Sequence, residues 1–475
     1  MQSSGKKIFI NTFLYSLMAC LAVISCLAIG QESSSLEPSF DAQTGLLTLP
    51  YVSVKGTEDA YSLQLSLVES SPDIVFELTE GLPVEKQEIF GYPKFDLASL
   101  ELEIPMLDVG SINYGVFLSL SGLSEPLRFS FTNAVAKTPQ NCTTTDKDPL
   151  DEDSSLSRLR VVENMVVDDD CNSVLLRGVA LQGPRFMQLA YEIDASERHF
   201  YTEEDFRVLS EEWNVNFVRV VIWPELWINF PDYLDVYVDD LVAWGNQYGI
   251  YVLLGYHSHG NAGTGEFEET SWANDGFWQG SPYNPDKGHT ISAMEQMVSR
   301  YMNKPWVIYS PFDEPSLITW DEWRPHAEEL TDVIQAIDPR ALTVIPGVSF
   351  AHDVTGILGN PVNRENVIYD VHVYPYSYVP SLGQPFNSDL WMDTVRDVAE
   401  VYPIIIGEWG YGPNTPIEGS RDEFAVPLLN LAKHLNIGWA AWIFHHLAPP
   451  ALITSFETYE TTEFGQLVKD TLTDR

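Results

Sequence analysis

Two glutamates follow short apolar stretches that are typical of buried strands. Glu314 comes shortly after the predicted strand Trp306–Tyr309, and Pro315 prevents further strand pairing. Glu408 stands in a similar place after the apolar run Ile404–Ile406. Two carboxylates at the carboxyl ends of two strands could be the acid and the nucleophile that cleave a glycosidic bond with retention of configuration. A lone glutamate is more often a solvated loop residue, so the surroundings must support the pair.

The ends of the other predicted strands carry side chains that could bind or orient a substrate. They are Arg219 and Trp223 after the second strand, His257 and His259 after the third, Asp313 beside Glu314, His372 and Tyr374 after the sixth, and Trp442 in the eighth. An arginine within an apolar strand should meet a carboxylate, because burying an unpaired charge is costly. Several such residues at one end of one sheet indicate a site rather than core packing.

From about residue 158 onward, apolar strand patterns alternate with helical ones. The predicted strands are Val174–Val179, Phe217–Ile222, Ile250–Leu254, Trp306–Tyr309, Leu342–Ile345, Val367–Val373, Ile404–Ile406 and Gly438–Phe444. Such an alternation indicates a parallel sheet covered on both faces. Eight units in residues 158–475 predict an α/β fold, the (β/α)₈ TIM barrel, with its site at the carboxyl ends of the strands. A doubly wound sheet is the alternative, but the first strand is not followed by a glycine-rich phosphate loop.

Residues 36–132 have a different pattern, built from two copies of one unit. Phe40-Asp41 and Leu49-Pro50 recur as Phe95-Asp96 and Ile104-Pro105, and each copy contains alternating apolar residues. Period-two alternation predicts half-buried strands and therefore a small all-β, sandwich-like domain. All 13 tryptophans lie at or after Trp213, so sugar binding by this domain would depend on tyrosines. A spacer or packing role is favoured slightly over sugar binding.

The remaining segments indicate how the chain is processed. Residues 1–30 have a basic start, a long apolar run and small residues near Gly30, which predicts a signal peptide and secretion. Cys26 could instead carry a lipid anchor on a membrane-bound lipoprotein. Residues 133–157 are polar and acidic and predict a linker. After cleavage, Cys142 and Cys171 remain and should form a disulfide in an oxidising compartment.

The charge of the chain argues against partners that are themselves strongly negative. There are 68 acidic and 26 basic residues, which gives a formal net charge of −42. Nucleic acid would be repelled, and so would an anionic membrane surface. The sequence implies no protein partner, no cofactor and no metal.

The strand-end residues and their neighbours resemble the motifs of glycoside hydrolase family 5. The resemblance covers about residues 177–469, through Leu176–Val179, Asn216–Val220, Tyr256-His257, Phe312–Pro315, Val371–Tyr374, Gly407–Gly410 and Trp439–Trp442. It implies that Glu314 is the acid/base and Glu408 the nucleophile, with carboxyl groups about 5–5.5 Å apart. The substrate would be a β-linked polysaccharide or oligosaccharide, most simply a β-1,4-glucan cleaved internally. A β-mannan or a β-1,3-glucan is the alternative.

The resemblance also implies roles for the supporting residues. Arg219 would pair with Glu408 and hold it ionised, while His372 and Tyr374 orient the two carboxylates and Tyr374 donates to Glu408. His257 would bind a sugar hydroxyl, and Trp442 would form the floor beneath that sugar. Further aromatic platforms would be Trp223, Trp227, Trp272 and Trp278.

One residue departs from the family pattern. Asp313 stands where the family nearly always has an asparagine that donates to the sugar, and an ionised aspartate can only accept. We expect Asp313 either to share a proton and stay neutral or to weaken binding of the transition state, which leaves a sugar-binding protein without catalysis as an alternative. His257-Ser-His259 offers a second alternative, a metal-dependent hydrolase. Such enzymes carry the histidine pair on the first strand, whereas here it follows the third.

Overall fold

A computed structural model describes residues 38–473 except 184–200, 268–283, 413–420 and shorter stretches, among them 376–377, 380–383 and 386–388. The predicted signal peptide lies outside the described residues. The chain divides between Gln140 and Asn141 into two compact units. No helix within the described ranges has the length and apolar character needed to cross a bilayer.

The N-terminal unit is an eight-stranded sheet. Its strands are β1 Ser39–Asp41, β2 Leu46–Val54, β3 Ala60–Ser70, β4 Ile74–Val84, β5 Lys94–Asp96, β6 Glu101–Val109, β7 Ile112–Gly122 and β8 Arg128–Ala136. The order is β1-β2-β3-β4-β8-β7-β6-β5, and β5 also pairs with β2, so the sheet curls back on itself. Each half supplies four strands, which agrees with the predicted two-copy repeat. Alternating residues such as Leu47, Leu49, Leu102 and Ile104 are buried, which confirms the all-β, sandwich-like domain.

The second unit begins with the hairpin β9 Arg160–Val162 and β10 Met165–Val167. A closed parallel barrel follows, made of β11 Arg177–Leu181, β12 Phe217–Ile222, β13 Tyr251–Tyr256, β15 Val307–Ser310, β17 Thr343–Pro346, β18 Val367–Val373, β21 Ile404–Trp409 and β22 Gly438–Ala441. Shorter strands are β14 His259–Gly260, β16 Glu314–Pro315, β19 Tyr378–Val379 and β20 Gln384–Pro385. The predicted (β/α)₈ barrel is confirmed, because these apolar strands are buried along their length.

Helices cover the outside of the barrel. They are α1 Glu203–Arg207, α2 Pro224–Asn229, α3 Asp239–Gln247, α4 Lys287–Tyr301, α5 Trp320–Ile337, α6 Asp389–Ala399, α7 Val426–His434 and α8 Glu463–Thr473. Three π-helical turns, Val208–Glu212, Leu234–Val238 and Arg421–Ala425, adjoin α1, α3 and α7. A capping pair of Thr202 and Asp205 is present at the start of α1. Several strand ends differ from prediction; the largest differences are that β11 begins at Arg177 instead of Val174, β21 continues to Trp409 instead of Ile406, and β22 stops at Ala441 instead of Phe444.

Ion pairs and a disulfide fix the segment that leads into the barrel. Arg158 bonds to Asp151 and lies 3.1 Å from Asp338, both of which are almost fully buried. Arg340 pairs with Asp151 as well. The predicted disulfide joins Cys142 to Cys171. Part of the segment predicted as a linker is therefore bound to the barrel unit.

Candidate active site

Glu314 is positioned by a short strand pair at the mouth of the barrel. The strand β16 lies parallel to β14, with Glu314 directly beside His259. The carbonyl of Ser258 accepts hydrogen bonds from the amides of Asp313 at 3.3 Å and Glu314 at 3.1 Å. The ends of the third and fourth barrel strands are thereby held together, and their side chains converge.

Glu408 is positioned by a local irregularity in the barrel. The pairing of β21 with both of its neighbours shifts around Gly407 and Glu408, and such bulges turn a side chain toward a new direction. The amide of Gly407 donates to Asp370 at 2.7 Å. A side chain at position 407 would collide with the Asp370 carboxylate and the Arg219 guanidinium, so this close approach requires glycine.

Arg219 lies fully buried among three carboxylates. Its Nη1 donates to Asp370 Oδ2 at 2.7 Å, and its Nη2 donates to Asp313 Oδ1. Glu408 Oε1 is 3.7 Å from Nη2, outside hydrogen-bond range. The prediction that Arg219 meets a carboxylate is confirmed, and the predicted pairing with Glu408 is present as an ion pair without a hydrogen bond. The guanidinium has five donors, and two other aspartates are nearer.

Asp313 is saturated by positively polarised groups. His257 Nδ1 lies 2.8 Å from Asp313 Oδ2, His259 Nε2 lies 3.1 Å from the same oxygen, and Arg219 takes Oδ1. Burial opposes ionisation of Asp313, but the charges of His257 and Arg219 outweigh it and hold its pKa well below the ordinary value. The expectation that Asp313 shares a proton and stays neutral is therefore wrong.

Glu314 sits between two histidines. Its Oε1 is 2.9 Å from His372 Nδ1, and its Oε2 is 3.4 Å from His259 Nδ1. Burial disfavours the charged form of Glu314, but His259 and the hydrogen bond from His372 prevail and lower its pKa. The predicted contact of His372 with Glu314 is present.

Glu408 lies beside the same histidine as Glu314, but its pKa is raised rather than lowered. Tyr374 donates its hydroxyl hydrogen to Glu408 Oε2 at 2.9 Å, as predicted, and His372 Nδ1 lies 3.7 Å from the same oxygen. Burial and the negative charges of Asp313 and Glu314 raise the pKa of Glu408 to about 7, against the opposing effect of His372 and Arg219. The two glutamates therefore hold one proton between them below neutral pH.

His372 links the two glutamates through one nitrogen. Although burial opposes its charged form, Glu408 and Asp370 hold the pKa of His372 well above the ordinary value. A cationic His372 between two carboxylates lowers their mutual repulsion. Such close carboxylates are the arrangement that a double displacement needs.

The predicted aromatic platforms differ in exposure. Trp442 is half-buried and stacks on His257 with ring centres 5.7 Å apart and planes 14° apart. Trp223 is only 2% exposed and donates Nε1–H to Gln182 Oε1 at 2.9 Å, so its prediction as a sugar platform is wrong. Trp227 packs against the core. Trp272 and Trp278 lie outside the described residues.

Two residues of the cluster were not given this role from the sequence. Asp370 binds Arg219, and His259 contacts both Asp313 and Glu314. The signal for Asp370 was the same as for Arg219, since it is a charge within an apolar strand, Val367–Val373. His259 was predicted as a strand-end residue and as a possible metal ligand, but not as a partner of the two carboxylates. Within the described residues, His257, His259 and Asp313 are close enough to hold a metal ion, and so are Asp313, His372 and Glu408.

Comparison with known families agrees with this geometry. The family described as cellulase (glycosyl hydrolase family 5) matches residues 167–446, more than half of the chain. The chain belongs to glycosyl hydrolase family 5. The family is a retaining one, and the matched region contains Glu314, Glu408 and every residue that contacts them above.

Several relatives carry the endoglucanase name. The chain is 23% identical over 296 residues to Endoglucanase E-5 of Thermobifida fusca, covering 60% of this chain and 55% of that protein. It is 25% identical over 274 residues to Endoglucanase Z of Dickeya dadantii, covering 57% of each. The chain thus spans just over half the length of these curated relatives.

Solved structures share the fold. A β-glucanase from Saccharophagus degradans in complex with cellotetraose matches with a TM-score of 0.58 and 24% identity, covering 70% of this chain and 97% of that one. The catalytic domain of Thermobifida fusca endoglucanase Cel5A matches with a TM-score of 0.53 and 18% identity, covering 66% and 97%. At these identities the matches establish the barrel architecture.

Proposed function

We propose that the protein is an endo-β-1,4-glucanase that hydrolyses a β-linked glucan by double displacement. The observation that carries the proposal is the approach of Glu314 and Glu408 to the same nitrogen of His372, at 2.9 and 3.7 Å. The names of the relatives support a glucan rather than a mannan as the substrate.

In the first step, Glu408 attacks the anomeric carbon while Glu314 gives its proton to the leaving oxygen. Tyr374 holds Glu408 Oε2 and so fixes the direction of the attacking carboxylate. The covalent bond between sugar and enzyme forms as the glycosidic bond breaks. This step needs the single shared proton on Glu314 and Glu408 ionised, and the hydrogen bond from Tyr374 favours the ionised form of Glu408.

In the second step, Glu314 acts as a base toward water. Its pKa lies below the ordinary value, and loss of the negative charge of Glu408 in the covalent intermediate lowers it further, so Glu314 is ionised and can accept a proton from water. Water attacks the anomeric carbon, the bond to Glu408 breaks, and Glu314 regains its proton. Trp442, half-buried beside His257, is the surface on which the cleaved sugar would stack.

The test is release of reducing ends from soluble β-1,4-glucan, β-mannan and β-1,3-glucan by the wild type, Glu314→Gln and Glu408→Gln. We expect activity on β-1,4-glucan and a loss of at least about a thousandfold in each variant, because each removes a group that reacts directly. Glu295→Gln, an exposed residue of α4, is the matched control and should keep full activity. A preference for β-mannan or β-1,3-glucan would change the proposed substrate but not the proposed mechanism.

A sugar-binding protein without catalysis is the second candidate. The ionised Asp313 favours it, because that carboxylate cannot donate a hydrogen bond to a sugar hydroxyl. Retained binding of a glucan together with no hydrolysis of any polymer would establish this candidate.

We also propose that the protein is secreted or, if Cys26 is acylated, anchored to a membrane. The support is the basic and apolar character of residues 1–30. Mass spectrometry of the mature protein decides between cleavage near Gly30 and a lipid on Cys26. A mature protein that still begins at Met1 would contradict both.

A further inference from the structure

His257, His259 and Asp313 present three potential metal-ligand atoms to one small volume. Asp313 Oδ2 is 2.8 Å from His257 Nδ1 and 3.1 Å from His259 Nε2, and all three atoms lie within 4.8 Å of one another. Ligands of a tetrahedral zinc ion lie about 2.0–2.2 Å from it and so stand roughly 3.3–3.6 Å apart. Shifts of a few tenths of an ångström would move the three ligand atoms apart to these distances.

The groups behind the three ligands are those that metal sites use. Metal-bound histidines usually direct their second ring nitrogen at a carboxylate or carbonyl, and metal-bound carboxylates are themselves hydrogen-bonded. His259 has Nδ1 3.4 Å from Glu314 Oε2 while its Nε2 lies beside Asp313. Asp313 keeps Oδ2 toward the histidines, and Arg219 donates to Oδ1. These outer contacts are independent of the three ligand distances.

We propose that His257, His259 and Asp313 bind a transition-metal cation of the Zn²⁺ type and that this cation inhibits the enzyme. Two imidazoles and one carboxylate suit Zn²⁺, Ni²⁺ or Cu²⁺, whereas Mg²⁺ and Ca²⁺ prefer oxygen ligands. With the asparagine typical of the family at position 313, the site would lack its only anionic ligand. The inhibitory site is therefore a property of this chain's Asp313.

Inhibition follows from the place of the three ligands in the site. His257 stacks on Trp442, the surface proposed for the cleaved sugar, and His259 Nδ1 lies 3.4 Å from Glu314 Oε2. A cation held by these residues occupies the volume that the sugar needs beside Glu314, so the metal-bound enzyme is inactive. This consequence rests on the proposed hydrolase function, whereas binding of the cation does not.

Binding is tested by calorimetric titration of ZnCl₂ into chelator-stripped protein at pH 7, with MgCl₂ as the comparison cation. We expect one zinc site and no magnesium binding. His259→Ala and Asp313→Asn should each weaken zinc binding by at least about tenfold, the smallest loss seen even for outer contacts of metal sites. His289→Ala, an exposed histidine on α4, is the control and should bind zinc as the wild type does.

The outcomes separate the parts of the proposal. A wild type that binds no zinc, or a folded His259→Ala variant with unchanged affinity, overturns the site. Binding that survives His259→Ala but is lost in Asp313→Asn places the cation among Asp313, His372 and Glu408 and also overturns it. Zinc binding without loss of reducing-sugar release, in a protein that hydrolyses glucan, overturns the inhibition alone. If no polymer is hydrolysed, the titration still decides the site.

Discussion

Nη2 of Arg219 lies 3.7 Å from Oε1 of Glu408, close enough for attraction between charges but too far for a hydrogen bond. The same nitrogen donates to Asp313 instead. Among the described residues, Oε1 of Glu408 has no hydrogen-bond partner. Asp313 thus accepts the hydrogen bond that the guanidinium could give to Glu408, the proposed nucleophile, and adds a negative charge beside it. Both effects make Glu408 harder to ionise.

Replacing Asp313 by asparagine should move the alkaline limit of activity to lower pH. The charge of Asp313 raises the pKa of both Glu408 and Glu314, so its removal lowers both. Activity needs one proton on the glutamate pair, and that proton is lost as the pH rises through about 7 in the wild type. The measurement is kcat/KM between pH 5 and 9.

The control for this variant is Asp332→Asn, which removes an exposed carboxylate that pairs with Arg364. Its pH profile should match that of the wild type. An alkaline limit that stays in place or rises in Asp313→Asn would contradict the influence assigned to Asp313.

Removing the hydroxyl of Tyr374 should move the alkaline limit the other way. Tyr374 donates to the carboxylate form of Glu408 at 2.9 Å, so Tyr374→Phe raises the pKa of Glu408 further. A hydrogen bond to a charged group contributes about 1.5–3 kcal/mol, so kcat/KM should also fall roughly 10- to 100-fold. The same pH profile measures both. The alkaline limit of kcat/KM should move in opposite directions in Tyr374→Phe and Asp313→Asn. Movement in the same direction would refute the effects on the pKa of Glu408 that are assigned to Tyr374 and Asp313.

Asp370 should matter more for stability than for binding of the sugar. It is fully buried, bonds to Arg219 Nη1 and accepts the amide of Gly407, each at 2.7 Å. Asp370→Ala leaves a buried arginine short of a partner, which costs about 3–5 kcal/mol. Chemical denaturation followed by tryptophan fluorescence measures the loss in the barrel alone, since all 13 tryptophans lie at or after Trp213.

The comparison for Asp370→Ala is the same substitution at Asp332, whose side chain is 55% exposed and also pairs with an arginine. An exposed ion pair contributes about 0–1 kcal/mol. Equal losses in the two variants would show that burial of the Arg219 pair is not what stabilises the barrel.

The barrel and the positions of the glutamates were predictable because strand direction determines where a strand's end lies. Once Phe217–Ile222 and Val367–Val373 are parallel strands of one barrel, their last residues must meet at one mouth. The sequence could not rank the partners of Arg219. Three carboxylates come within reach of one guanidinium, and differences of about an ångström decide which of them it bonds.

The solvent exposure of the strand-end tryptophans was the other property that could not be predicted from the sequence. Trp223 and Trp442 both stand at strand ends, but Pro224 begins α2 immediately after Trp223. The indole of Trp223 is buried where the chain turns into this helix, and its Nε1–H donates to Gln182 Oε1. The π-helical turns beside α1 and α3 were missed for a related reason, because an extra residue in a helical turn depends on packing rather than on apolar spacing.

The two tryptophans should therefore respond differently to substitution. Trp442→Ala removes the half-buried indole that stacks on His257, and loss of a large apolar contact of about 1–3 kcal/mol should weaken binding of cellotetraose roughly tenfold or more. Trp223→Phe keeps the buried apolar volume and loses one hydrogen bond, at about 1 kcal/mol of stability. Its affinity for cellotetraose should stay within about twofold, since a buried ring offers the sugar no face.

Both affinities are measured by calorimetry in the Glu408→Gln background, where the oligosaccharide is not consumed. A Trp223→Phe variant with intact stability and weakened binding would restore Trp223 as a sugar platform, because it would mean that the indole becomes exposed when the ligand arrives. Intact binding in Trp442→Ala would remove the stacking surface from the proposed mechanism. The pair of substitutions thus separates a residue that contacts the sugar from one that only supports the ring of His257, on which Trp442 stacks and against which Trp223 packs at 4.5 Å.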